Sequence, residues 1–92
     1  MRATAEIQVI PLGVGVSLRR HVQQVVAWLR EFPLRVEPHP NGTNLEGELA
    51  DVLAAAGAVH ERLHAEGVVR VLTQLKLETR SDKPAALDDK RL

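Results

Sequence analysis

The sequence contains no cysteine and no tyrosine. Without cysteine there is no disulfide framework, no thiolate nucleophile and no cysteine-based zinc knuckle, so thiol chemistry is excluded. Aromatic residues are nearly absent: Trp28 and Phe32 are the whole set, a composition that disfavours stacking on bases. An excess of charge is lacking too, because twelve basic and twelve acidic residues cancel to a formal net charge of zero. A balanced chain has no basic footprint for sequence-independent phosphate binding, and nucleic acid is not an expected partner. No apolar run approaches the roughly 18 residues of a membrane span, and the opening residues alternate instead of forming a basic stretch, an apolar run and a cleavage site. The expected setting is therefore soluble and cytoplasmic, with no membrane partner.

What is present is a chain of 92 residues, 45% hydrophobic, drawn almost wholly from Ala, Val, Leu and Ile. That length makes one domain with a modest core, for which association with further copies is a natural way to bury more apolar surface. From Ala3 to Leu12 the side chains alternate, with Ala3, Ala5, Ile7 and Val9 on one face and Thr4, Glu6, Gln8 and Ile10 on the other, the pattern of a strand. Pro11, Gly13 and Gly15 punctuate its end, and Ser17 offers a side-chain oxygen to the free amides of a following helix. That helix carries Leu18, Val22, Val25, Val26 and Leu29 on one face and Arg19, Arg20, Gln23 and Arg30 on the other. Pro33 stops it. Leu34, Val36 and Pro38 then alternate with Arg35, Glu37 and His39 ahead of the turn-prone Pro40-Asn41-Gly42, which implies a hairpin with Thr43 to Glu46 as its short return strand and Gly47 as a break. Leu49, Val52, Leu53, Ala56 and Leu63 mark a second helix ending at Gly67, and Val68 to Glu78 form the last strand.

The order βαββαβ is that of the ferredoxin-like α+β sandwich, with both helices on one face of a four-stranded antiparallel sheet. Residues 1–79 make the domain, and 80–92 a charged extension in which Pro84 is acceptable at the start of a short helix toward Lys90. The sheet face without helices carries Glu6, Gln8, Ile10, Arg35, Glu37, His39, Arg70, Leu72, Gln74 and Lys76. That set is too polar for a second core and dense in groups able to hold a ligand. Glu6, Glu37 and Glu46 are its candidate carboxylates for a cation, although cross-strand pairing with Arg35, Arg70 and Lys76 accounts for them equally well.

Two motifs compete with that reading. His60-Glu61-Arg62-Leu63-His64 fits H-E-x-x-H, in which two imidazoles one turn apart bind zinc and the glutamate activates water. Arg70 stands at the place of the third histidine, and catalytic zinc needs three protein ligands. A wheel through Leu53, Ala56 and Leu63 puts His60 near the middle of the apolar stripe and His64 at its margin, so a histidine pair at the core edge is favoured over a metal-dependent hydrolase. Gly13 and Gly15 lack the third glycine of a dinucleotide fingerprint and the Gly-Lys-Ser/Thr of a phosphate loop, and read as a tight strand-to-helix turn.

Three segments together resemble one family. The opening Ala5-Glu6-Ile7-Gln8-Val9-Ile10-Pro11-Leu12-Gly13, the central His39-Pro40-Asn41-Gly42-Thr43 with Glu46-Gly47-Glu48, and Arg70 to Lys76 with Asp82-Lys83-Pro84 are similar to the small, YkoF-like thiamine-binding proteins. The resemblance covers nearly the whole chain in order. It implies a ferredoxin-like domain that associates into dimers or tetramers and binds thiamine or hydroxymethylpyrimidine without catalysing a reaction or using a cofactor. Carried over, it implies a ligand contacted by Glu6, Gln8, His39, Thr43, Glu46 and Arg70. Asn41 stands where many relatives have methionine, and Ser81 to Leu92 follow the family pattern loosely. The rival expectation is an oligomeric interaction module whose open face joins subunits and holds no small ligand.

Overall fold

The computed structural model describes residues 1–15 and 18–90, so the Ser17 helix cap lies outside the described residues. In chain order the elements are β1 (Arg2–Leu12), α1 (Arg19–Leu29), β2 (Arg35–His39), β3 (Gly42–Glu48), α2 (Leu49–Ala65), β4 (Arg70–Thr79) and a 3-10 turn, Leu87–Lys90. The four strands form one antiparallel sheet in the order β2-β3-β1-β4. This is the ferredoxin-like α+β sandwich that the element order predicts.

Strand β1 has a neighbour on each side, and its odd positions face the helices. Ala3, Ala5 and Ile7 are buried there beside Leu45 of β3, under Val52, Ala55, Val59 and Leu63 of α2 and Val25 and Leu29 of α1. Two alanines in the middle strand let α2 approach the sheet closely. The shared face also explains why the chain tolerates Pro38, since β2 is an edge strand and needs no second ladder. A two-residue turn, Pro40-Asn41, joins β2 to β3 with His39 opposite Gly42.

The structure corrects several details. Gly47 is not a break but the sixth residue of β3, opposite Ala3. It sits under the chain that leaves α1: a Cβ there would stand 2.5 Å from Leu34 Cδ2 and 3.2 Å from the Pro33 carbonyl oxygen. The buried stripe of α2 runs Val52, Ala55, Val59, Leu63, while Leu53 is 49% exposed and Val22 of α1 is 51% exposed. Helix α2 ends as expected at Gly67, whose φ of +96° suits glycine; Gly67 N–H donates to the His64 carbonyl and Val68 N–H to that of Leu63. The last strand starts at Arg70, and Val69 before it is 84% exposed.

The sheet face opposite the helices is not left bare. Residues 80–90 double back across its β3–β1 end, burying Ala85 and Leu87 and leaving Thr4 of β1 only 2% exposed. Leu87 N–H donates to Glu46 Oε1 at 2.7 Å, Arg35 pairs with Asp88 at 3.0 Å, and Lys90 pairs with Glu78. Within the strap, Arg80 grips Asp82 and Lys83 meets Asp89 at 3.3 Å.

Two glycine substitutions separate close packing from chain entropy. Gly47→Ala should destabilise the fold by about 1–3 kcal/mol, because Leu34 and the Pro33 carbonyl must move. Gly57→Ala, in the exposed middle of α2 with open space around it, should stabilise by about 0.5–1 kcal/mol. Urea denaturation of both variants measures the two signs.

Candidate functional site

The open face is organised in cross-strand rows. Glu37, Asn44, Glu6 and Lys76 are successive partners across all four strands, and one row along are Arg35, Glu46, Thr4 and Glu78. The strap lies over the second row, held by Glu46, Arg35 and Glu78. The first row stays open. With Thr4, Glu78, Leu87 and Lys90 it lines a cavity of about 510 Å³, roofed at one side by the strap and open to solvent on the other.

The lining contains three carboxylates, Glu6, Glu37 and Glu78, against two ammonium groups, Lys76 and Lys90, for a formal charge of −1. Glu37 accepts from Arg35 at 2.8 Å, and the same guanidinium reaches Asp88. Its bonds to Asp88 first and Glu37 second raise the Arg35 pKa above its ordinary value, which fixes a permanent positive charge beneath the strap. His39 adds a further hydrogen-bonding group. Its Nδ1 accepts from Asn41 N–H at 3.3 Å, which leaves Nε2 to donate toward Asn44 Oδ1 at 3.2 Å and Glu6 Oε2 at 3.3 Å. The cavity thus offers carboxylates for a cation, an amide and lysines for hydrogen bonds, and an apolar wall in Leu87.

The six residues implied by the resemblance do not converge on one point. Glu6 lines the cavity, and His39 supports it from the adjacent row. Glu46 is on the same face, but one oxygen accepts the Leu87 amide and the other meets Arg2 at 3.6 Å, so it anchors the strap. Gln8 lies opposite Gln74 one step up the face, at the margin of a second cavity. Thr43 points to the helix side, 6% exposed, and lines that second cavity. Arg70 is opposite Leu12, six positions along β1 from Glu6, about 20 Å at 3.3 Å per residue, and is not brought to the cavity.

Sequence reasoning missed Asn44, Glu78, Leu87 and Lys90. Carrying the alternation of β3 one residue past Thr43 would have put Asn44 on the open face. Alternation along β4 puts Glu78 on the same face as Lys76, whereas Leu87 and Lys90 depend on the folding back of the strap.

The H-E-x-x-H segment faces elsewhere. His60 Nε2 lies 2.6 Å from Thr73 Oγ1 on β4, and His64 Nδ1 lies 2.8 Å from the Val68 carbonyl oxygen, which tie both rings to the protein's own strand and turn. The ring centroids are 6.4 Å apart, Glu61 is exposed, and no group of three or more His, Asp or Glu able to hold a metal occurs among the described residues.

Comparison with known proteins agrees with the architecture and names the group. A UPF0045 protein of Synechocystis is 39% identical over 90 residues, spanning 98% of this chain and 74% of the relative. A UPF0045 protein of Methanocaldococcus jannaschii is 34% identical over 97% of this chain and 88% of its own, and the crystal structure of a hypothetical protein from that organism superposes with a TM-score of 0.89, covering 97% and 91% of the two chains. A structure from Thermotoga maritima described as a putative thiamine biosynthesis/salvage protein shares the fold, with a TM-score of 0.86 at 18% identity over 98% and 95% of the chains. The profile of the family described as thiamine-binding protein matches residues 5–91, and the chain belongs to that family.

Proposed function

We propose that this protein binds thiamine non-catalytically in the open-face cavity, as a carrier, buffer or sensor in the cytoplasm. The observation that carries the reading is the cavity's charge. Three carboxylates against two ammonium groups suit a monocation, and membership of the thiamine-binding family supports thiamine as that cation. Glu6 and Glu37 would face the positively charged ring, Asn44 and Lys76 would meet the edge of the aminopyrimidine, and Leu87 would supply the apolar wall. A volume of about 510 Å³ lies within the usual range for small-molecule sites. Free hydroxymethylpyrimidine is the second candidate, and having no charge it gains less from this lining.

Self-association into a dimer or tetramer is part of the same proposal. Strand β4 is an edge ten residues long, Leu72 and Leu77 are exposed along it and Val69 is exposed just before it, a combination that favours covering by another copy. An oligomer indifferent to thiamine would leave the interaction-module reading in its place.

Titration calorimetry beside light scattering tests both parts. Thiamine should saturate one site per chain with a Kd of about 10 μM or tighter, roughly 7 kcal/mol. Glu6→Gln should weaken binding about tenfold, and thiamine monophosphate should bind less well than thiamine because its phosphate meets a lining that is already negative. No heat at millimolar thiamine in a folded oligomer would sink the proposal.

The strap gives a separate expectation. Leu87→Ser should loosen residues 85–90, seen as faster amide exchange there, and should raise the Kd for thiamine several-fold while the sheet amides stay protected. Acid should act in the same direction. Arg80, first through its hydrogen bond, holds the Asp82 carboxyl below its ordinary pKa. That contribution is present above the ordinary aspartate value, about 3.9, and is lost as the pH falls through the lowered one, so strap amides should exchange faster there at equal intrinsic rate.

A further inference from the structure

The chain has two asparagines, and the fold places them in opposite surroundings. Asn44 lies inside β3, paired with Glu6 on one side and Glu37 on the other, and is followed by fully buried Leu45. Asn41 is exposed at the β2–β3 tip, in a two-residue turn, and is followed by glycine. An asparagine side chain is open to attack at Cγ by the backbone nitrogen of the next residue, which closes a five-membered imide. That step needs a pliant backbone and an unobstructed nitrogen. A following glycine at a loop tip provides both, and a branched residue within a strand provides neither.

The glycine is demanded by the fold. A Cβ at position 42 would stand 3.0 Å from the Ile7 carbonyl oxygen, and the φ of +155° suits glycine. The susceptible dipeptide is therefore tied to the close approach of the hairpin to β1. One side chain restrains it. His39 Nδ1 accepts from Asn41 N–H at 3.3 Å, and Cε1 of the same ring would lie 3.6 Å from a Cβ on Gly42, so the imidazole rests against both residues as a latch on the turn. The tip belongs to the β2 side of the sheet, and an interface along the opposite edge, β4, does not cover it.

We propose that Asn41 is a site of spontaneous modification in the folded protein, deamidating through a cyclic imide to aspartate and isoaspartate at a rate set by the His39 latch. The Gly42 nitrogen bonds to Asn41 Cγ as the Cγ–Nδ2 bond breaks, and Nδ2 leaves as ammonia with the proton that the Gly42 nitrogen gives up. Water then opens the imide. Cleavage between the nitrogen and Cγ leaves aspartate; cleavage between the nitrogen and the main-chain carbonyl carbon leaves isoaspartate, whose backbone runs through Cβ and Cγ. Water is the only co-reactant. Either product replaces a neutral amide by a carboxylate and takes the formal charge of the chain from zero to −1. Isoaspartate also lengthens a two-residue turn by one backbone atom, which works against the closing pair of His39 with Gly42.

The full chain, kept for days at mildly alkaline pH, is followed by mass spectrometry of the tryptic peptide 36–62, which holds both asparagines. A gain of about one mass unit at Asn41, with none at Asn44 over the same time, upholds the site. Partial resistance of the modified peptide to a protease that cuts before aspartate identifies the isoaspartate that only the imide route supplies. His39→Ala should speed the gain about fivefold, the effect of losing one net hydrogen bond from the closed turn. Asn41→Gln, whose longer side chain closes such a ring far more slowly, should abolish it. Protection of the sheet amides in both variants shows that the fold is intact. No gain in the folded chain, a comparable gain at Asn44, complete cutting of the modified peptide, or a His39→Ala rate no faster than that of the unsubstituted chain would overturn the inference.

Discussion

Strand β1 is paired on both sides over part of its length, and the lengths of its two ladders differ. It meets β4 at ten positions and β3 at six, because the β2–β3 hairpin turns back at Pro40-Asn41 while β1 runs on to Leu12. The fully paired part gives a four-strand floor, on which carboxylates from β1 and β2 fall into one row with Asn44 and Lys76. The half-paired part borders the second, smaller cavity, so both cavities follow from one mismatch in strand length.

The strap converts an exposed sheet face into a cavity. Its side-chain attachments, apart from Ala85 and Leu87, are exposed ion pairs, each of which contributes little on its own. Leu87 supplies apolar burial and Glu46 accepts its amide, so a carboxylate that resembles a ligand contact in sequence serves as the anchor of the wall. Arg35 couples this anchor to the site through Glu37 and Asp88 together. Loss of the strap would therefore change both the shape of the cavity and the charge balance around Glu37.

The alternation of Ala3 to Val9 was legible because small and apolar residues strictly alternate with polar ones, and it placed Glu6 on the open face correctly. In α2 the periodicity misled. The run Val52 to Val59 is almost entirely Ala, Val and Leu, so the apolar stripe has no sharp edge, and Leu53 could be exchanged for Val52 on a wheel without penalty. Gly47 reads as a strand break in any local pattern, and only the return of Pro33 and Leu34 over it reveals a close-approach position inside a strand. Leu87 binds Glu46 across 41 residues of sequence, and no local rule of composition or spacing encodes that contact. The second cavity was invisible for a related reason: it lies where one ladder stops short of another.

We propose the row formed by Glu37, Asn44, Glu6 and Lys76 as the floor of a site for an organic cation. The most direct measurement is a crystal structure of the protein grown with thiamine. The cationic ring should lie within about 5 Å of the Glu6 or Glu37 carboxylate, with Leu87 against it and the strap in place. Thiamine bound away from this row, or a displaced strap with an empty floor, would contradict it.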